Sequence, residues 1–434
     1  AAIRAGASAV LAAEDAAFEV PQGYPVVRVA DPRRALARIA AAFYQRQPEV
    51  VVAVTGTNGK TSVASFTEQI WRHLGLRSGS MGTLGVSGLE GDDQVALTSP
   101  DPITLHRVLC AFEGQGVQHV ALEASSHGLA QKRLDGVRLA GGAFTSFSRD
   151  HLDYHASFED YLDAKLRLFR EILPEGACAV INAASEASDR VLRAARAAKL
   201  QVMSVGRGGA HLELIGIRPQ AGHIEIELAV SGRPRQLRIP LVGAFQAENA
   251  LVAAALSTSG GDCSLDDAVG ALEHLKGACG RLELVGATAA GARVFVDYAH
   301  TPDALSVALS ALRPHATGRI IVVFGAGGDR DPGKRTLMGA AAGAGADEVI
   351  VTDDNPRGED AGEIRRAILE GVPGASEIGD RRAAIIEGIA RLESGDLLLI
   401  AGKGHERGQI VGDRVIPFSD HQEVARALGG EAAH

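Results

Sequence analysis

Cysteine is scarce in this chain, and the four that occur (Cys110, Cys178, Cys263 and Cys279) form no CxxC pair. That pattern argues against a structural zinc site and reads as core thiols in a reducing cytosol. No apolar stretch is long enough to span a bilayer, and no basic start with an apolar core marks a signal peptide. A cytoplasmic protein with no membrane partner is expected. The net charge of −9 argues against nucleic acid as a partner. It leaves room for an anionic nucleotide, which needs only a local positive site. Sequence repeats and low-complexity tracts are absent. Lysine is sparse among the basic residues, occurring only at Lys60, Lys132, Lys165, Lys199, Lys276, Lys334 and Lys403. A lysine kept against an arginine background is a candidate for a specific task, and Lys60, Lys334 and Lys403 all fall in Gly-rich turns. The chain opens at Ala1, not Met. Ile3 to Leu11 reads as a helix feeding a strand with nothing before it to pack on, so a preceding segment is expected.

With 434 residues, 46% of them hydrophobic, the chain has material for two or three packed domains. β-Branched apolar runs at Val50–Val54, His119–Leu122, Gly142–Phe147 and Ala177–Asn182 read as buried parallel strands. Leu212–Val230 alternates polar and apolar residues like an antiparallel stretch, and Leu251–Leu256 begins a helical run. After small residues around Lys276–Gly280 a second α/β rhythm starts, with strands at Arg293–Val296, Arg319–Phe324, Glu348–Val351 and Leu397–Ile400. Residues 361–369 and 381–392 read as helices. This alternation predicts α/β parallel sheets covered on both faces. Boundaries are expected near residues 48 and 280, giving segments 1–48, 49–279 and 280–434.

The run Val50–Val54 leads directly into Thr55-Gly56-Thr57-Asn58-Gly59-Lys60-Thr61, and a helical pattern follows from Ser62 to about Leu74. Strand, Gly-rich turn, Lys-Thr and helix form a phosphate cradle. Backbone N–H groups and the helix N-terminus face the anion, Lys60 adds a point charge and the Thr61 hydroxyl reaches magnesium. Val54 stands where the usual first glycine would be. Polar clusters also close the other strands, where open α/β sheets bind ligands. Glu123 could hold magnesium on the nucleotide or cap a helix. By their residue types alone, His151, beside Asp150, reads as a capping or packing group, and Lys165 as a surface lysine. Gly325–Arg330 is not GxGxxG. Asn355-Pro356-Arg357 could clamp a carboxylate or form an ordinary turn.

Taken together, TGTNGKT, EASSHGL, DHLDYH, VDYAHTPDAL, GDRDPGKR, DNPR and GKGHE, in that order, resemble the Mur ligases. These are the ATP-dependent amino-acid-adding enzymes of peptidoglycan synthesis, and the wording is closest to those that add the third residue. The resemblance runs from about Ile3 to the end. It implies three domains: a UDP-binding one, incomplete here, a central P-loop ATPase sheet and a C-terminal Rossmann-like domain. Gly56, Thr57, Asn58, Gly59, Lys60 and Thr61 would hold ATP, with Arg281, Asp297, Tyr298 and His300. Thr61 and Glu123 would hold a first magnesium, and His151 with Lys165, as a carbamate, a second. This reverses the plain readings of His151 and Lys165. Lys60, Glu123, His151 and Lys165 would form the catalytic set. Thr98, Ser99, Ser125, Gln131 and Arg133 would hold the UDP-N-acetylmuramoyl-dipeptide. Arg330, Asp354, Asn355, Arg357, Gly402 and Glu406 would hold the incoming diamino acid. Ala244–Asn249 departs slightly from the usual Phe-Asn at its helix start. The implied chain is a cytoplasmic monomer.

The resemblance also implies the mechanism. The D-glutamate side-chain carboxylate attacks the ATP γ-phosphate to form an acyl phosphate, and the amino acid's amine then attacks that acyl group. meso-Diaminopimelate is favoured, since Arg330 and Arg357, if buried, would need its extra carboxylate; L-ornithine or L-lysine is the alternative. A folylpolyglutamate synthase shares the ATPase core but should lack DNPR and GKGHE. A regulatory NTPase would have no use for the arginine-bearing third domain, and an inactive nucleotide-binding module would not keep Lys60, Glu123, His151 and Lys165.

Overall fold

A computed structural model describes residues 3–91, 98–148 and 154–429. The chain divides into two compact units, 1–212 with 251–269, and 213–250 with 270–434. Among the described residues no helix is long and apolar enough to cross a membrane.

The first unit is built on a largely parallel sheet. Its strands lie in the order Gln201–Gly206, Cys178–Asn182, Gly141–Phe144, Val50–Thr55, His119–Glu123, Ser78–Gly82 and Gly85–Ser87, the last antiparallel to its neighbour. Every residue of Val50–Thr55 is buried, as a strand covered on both faces requires. The chain leaves this strand to one side, through Ser78–Gly82 and His119–Glu123, and returns on the other at Gly141–Phe144. Such a reversal opens a crevice at the carboxyl end of Val50–Thr55. Helices Lys60–His73, Pro102–Gly114 and Phe158–Arg167 pack on the sheet through residues such as Phe66, Phe112 and Tyr161. Near the N-terminus a parallel pair, Val10–Ala13 and Val26–Val29, precedes the helix Pro32–Tyr44. The expected helix from Ile3 is one short 3-10 turn, Ile3–Ala5, because Gly6 breaks it with a positive φ.

In the second unit, Leu212–Gln220, His223–Val230 and Arg233–Ile239 are neighbouring strands. Residues of His223–Val230 alternate between buried and half-buried, the pattern that its sequence announces. The main sheet runs Glu283–Ala287, Arg293–Asp297, Leu397–Ala401, Ile320–Phe324, Glu348–Val351 and Ser376–Glu377. All but the first pair are parallel. Ala401 is in register with both Asp297 and Phe324, and Phe324 with Val351. Four loops, following Asp297, Phe324, Val351 and Ala401, therefore leave the sheet along one edge. The cysteines only partly meet the expectation of core thiols: Cys263 is buried, Cys110 and Cys178 are half-buried, and Cys279 is exposed.

Candidate functional site

The turn after Val50–Thr55 is drawn tight. Gly56 has φ +149°, and a Cβ there would stand 2.0 Å from Thr145 Oγ1, so only glycine lets the strand bend here. Val54 lies within the strand, which explains why no glycine is needed at that position. Gly59, at φ 87°, starts the helix Lys60–His73 without a side-chain cap, which leaves first-turn amides unclaimed by any capping side chain. Thr57 and Asn58 are anchored from the facing loop. Thr57 N donates to Ser146 O (2.8 Å), Asn58 N to Ser146 Oγ (3.0 Å), and Tyr161 Oη to Thr57 Oγ1 (3.2 Å).

Two ammonium groups converge on this turn. Lys60 Nζ donates to Gly56 O (3.0 Å) and Thr57 O (2.7 Å). Lys165 Nζ also donates to Gly56 O (2.7 Å) and stands 4.3 Å from the Tyr161 ring centre. Lys165 is only 1% exposed, so the plain reading of a surface lysine is overturned. The signal was available: Tyr161 and Lys165, four apart, share one face of the helix Phe158–Arg167, and both are buried.

Glu123 ends its strand buried, at 4% exposure. Its carboxylate accepts from Thr61 Oγ1 (3.0 Å), Thr83 N (2.7 Å) and Thr83 Oγ1 (3.2 Å). It caps no helix; Ser125 caps the following one through Gly128 N (3.0 Å). Thr83 was missed from sequence because it lies in a turn without a pattern. Thr83 Oγ1 lies 2.9 Å from Thr98 Oγ1. Ser99 Oγ donates to Glu123 O (3.0 Å) and accepts from Ser125 N (2.9 Å). Arg133 reaches Ser99 O and Gln131 Oε1, and Gln131 Nε2 donates to Tyr154 Oη (3.1 Å). Thr98, Ser99, Ser125, Gln131 and Arg133 thus form one connected polar patch beside Glu123. His151, with Asp150, lies outside the described residues.

In the second unit the four loops at the sheet edge make another cluster. Asn355 is 3% exposed and Lys403 fully buried. Lys403 Nζ donates to Asn355 Oδ1 and Glu406 Oε2 (3.0 Å each), and Asn355 Nδ2 donates to Glu406 Oε2 (2.8 Å). Asn355 is therefore more than a turn residue. Lys403 belongs with this group, and its place in a Gly-rich turn was the available signal. Gly402 has φ +111°, and a Cβ there would lie 2.6 Å from Asp354 Oδ2. Arg357, half-buried at φ 52°, donates to Gly328 O (2.9 Å). Arg330 is exposed, its loop running outward after Gly328, so neither arginine meets the condition of full burial.

Asp297 accepts from Leu282 N (2.6 Å) and Ala299 N (2.7 Å). Desolvation raises its pKa to about 6, with Arg281 and the two amides pulling the other way. Arg281 lies 5.0 Å from the Tyr298 ring centre, and that ring lies 4.6 Å from His300.

The Mur ligase middle domain matches residues 54–257, and the Mur ligase glutamate ligase domain residues 280–404. A UDP-N-acetylmuramoyl-L-alanyl-D-glutamate–2,6-diaminopimelate ligase of Chelativorans sp. (strain BNC1) is 53% identical, with 98% of this chain and 87% of that relative covered. The Brucella melitensis biotype 1 protein of the same name is 52% identical over the same shares. A solved structure of a ligase of that name aligns with TM-score 0.71 at 33% identity, covering 95% of this chain and 85% of the other. Mycobacterium tuberculosis folylpolyglutamate synthase, solved with ADP and AMPPCP, shares the fold at 20% identity, TM-score 0.68, with 92% and 96% covered. A phosphate-type turn, a buried carboxylate on its Thr61 and two family domains in sequence along the chain agree with these relationships: the chain belongs to the Mur ligase family.

Proposed function

We propose that this chain is an ATP-dependent ligase joining meso-diaminopimelate to the D-glutamate side-chain carboxylate of UDP-N-acetylmuramoyl-L-Ala-D-Glu in peptidoglycan synthesis. The names of its relatives support this substrate pair. The observation that carries the reading is the Thr61–Glu123 hydrogen bond at the foot of a turn that both Lys60 and Lys165 contact. Gly56–Thr61 bind the ATP phosphates, and Lys60 leaves its carbonyl partners to meet them. Hydroxyl and carboxylate oxygens are the hard donors magnesium takes, so Thr61 and Glu123 suit one ion, and His151 with Lys165 as a carbamate would serve a second. A carbamate keeps one N–H, which suits the Lys165 contact with Gly56 O. Bound magnesium would neutralise charge on the transferring phosphoryl group.

The patch from Thr98 to Arg133 orients the dipeptide so that its carboxylate faces the γ-phosphate. Arg281, Asp297, Tyr298 and His300 serve the adenine nucleotide. Arg330, Asp354, Asn355, Arg357, Gly402 and Glu406 hold the diamino acid, whose charges of both signs suit this mixed cluster. Its free amine attacks the acyl phosphate, and collapse of the tetrahedral adduct releases phosphate. We retain the segments 1–48, 49–279 and 280–434 as functional domains, and a monomer in the cytoplasm.

Glu123→Gln tests the carrying observation. The amide still offers an oxygen to Thr83 N, so folding is kept, while the charge for the ion is lost. Turnover is expected to fall by about 10²–10³-fold. A folded Glu123→Gln protein with wild-type turnover would remove Glu123 from the reaction.

A further inference from the structure

Away from these clusters, three side chains of different elements meet. Cys279 lies in the turn before the strand Glu283–Ala287, Glu283 opens that strand, and His421 lies in the first turn of the helix Asp420–Ala427. Cys279 Sγ is 3.7 Å from His421 Nε2, and Nε2 is 2.7 Å from Glu283 Oε2. One donor atom from each residue lies within 4.8 Å of the others. We propose that Cys279, Glu283 and His421 form a three-residue binding site for a divalent transition-metal ion of the zinc type, with water completing the shell.

The donor set fits. One sulfur, one imidazole nitrogen and one carboxylate are zinc ligands, and three protein ligands leave an open fourth position. Around a tetrahedral zinc, with bonds of about 2.3 Å to sulfur and 2.0 Å to nitrogen, donor atoms stand roughly 3.3–3.5 Å apart. The sulfur–nitrogen pair needs almost no movement, and the nitrogen–oxygen pair opens by roughly half an ångström. Glu283 is already oriented, because its Oε2 also accepts from Gly280 N (2.8 Å). Such supporting bonds fix ligand direction. Cys279 is exposed, which gives an ion a way in.

The charge balance points the same way. Cys279 Sγ and the Glu283 carboxylate both face His421 Nε2. A sulfur and a carboxylate so placed favour a divalent cation there. Because ligands bind a metal in their deprotonated forms, binding is pH-dependent. The expectation from sequence against a structural zinc site rested on the lack of CxxC; here Cys279 and Glu283 are joined by His421 from far along the chain.

The full chain, freed of metal with a chelator, is titrated with Zn²⁺ by calorimetry and with Co²⁺ by absorption, without ATP or magnesium. One equivalent is expected to bind, and cobalt should show a sulfur-to-metal charge-transfer band with the visible bands of a tetrahedral ion. Cys279→Ser should lose the charge-transfer band, and Cys279→Ser and His421→Gln should each weaken zinc binding by at least about 100-fold. Cys110→Ser should change nothing. Circular dichroism of each metal-free variant verifies the fold. A missing cobalt–sulfur band, or zinc binding by Cys279→Ser equal to wild type, would overturn the site. Both readouts are independent of ligase activity, so they stand apart from the proposed function.

Discussion

The deepest ion pair of the second unit gives a prediction with a definite size. Arg381 and Asp420 are both fully buried. Their bond is two-pronged, Nε to Oδ1 at 2.7 Å and Nη2 to Oδ2 at 2.8 Å. Nη2 also donates to Ala401 O (3.0 Å), the residue just before Gly402. In Arg381→Met the Asp420 carboxylate stays buried without its cation, at a cost of about 3–5 kcal/mol. In the double variant Arg381→Met, Asp420→Leu no charge is stranded. The Ala401 carbonyl loses its Arg381 donor, at about 1–3 kcal/mol, and the Asp353 carbonyl a longer contact (3.4 Å). The double variant should therefore be more stable than the single one by at least about 1 kcal/mol. Urea unfolding followed by circular dichroism at neutral pH measures both. Equal stability of the two variants, or a single variant as stable as wild type, would refute the reasoning that an isolated buried charge sets the cost.

Other predictions concern the two clusters and acid stability. Lys60→Ala and Lys165→Ala should each abolish ATP-dependent turnover while leaving the circular dichroism spectrum unchanged; near-normal turnover in Lys165→Ala would sink the carbamate. Arg357→Ala should raise the KM for the amino acid by about 10-fold or more while leaving that for ATP unchanged; equal effects on both would remove Arg357 from the amino-acid pocket. His106 is 3% exposed, and burial, aided by Arg138, lowers its pKa from 6.5 to about 4. The unfolded chain then binds a proton that the folded one refuses. The resulting stability is fully present above about pH 6.5 and is lost as the pH falls to about 4. The loss amounts to about 3 kcal/mol. Urea midpoints of His106→Gln should show a correspondingly weaker fall over that range than wild type, and parallel curves would contradict it.

Much of the fold was legible because buried parallel strands announce themselves. Val50–Thr55 and Leu397–Ala401 are unbroken apolar runs and needed only one-residue extensions. The helix at 361–369 was placed to the residue, since Asp360 caps it through Glu363 N. Arg233–Ile239 was missed because Arg233, Pro234, Arg235 and Arg238 hide its pattern, which is how an edge strand resists further pairing. Gln201–Gly206 was missed because its residues mix polar and apolar without alternation. Local motifs marked the phosphate turn and the strand-end clusters. What they could not give was burial: Lys165 reads as a solvent residue until its helix face is drawn, and the exposure of Arg330 follows only from the path of its loop. The meeting of Cys279 and His421 depends on tertiary placement alone, and no local pattern encodes it.

The most direct test of the central claim is phosphate release from ATP with UDP-N-acetylmuramoyl-L-Ala-D-Glu and magnesium, adding meso-diaminopimelate, L-lysine or L-ornithine in turn. Release that requires the dipeptide and rises selectively with meso-diaminopimelate is the predicted result. Selective release with L-lysine or L-ornithine, or release indifferent to the dipeptide, would contradict it.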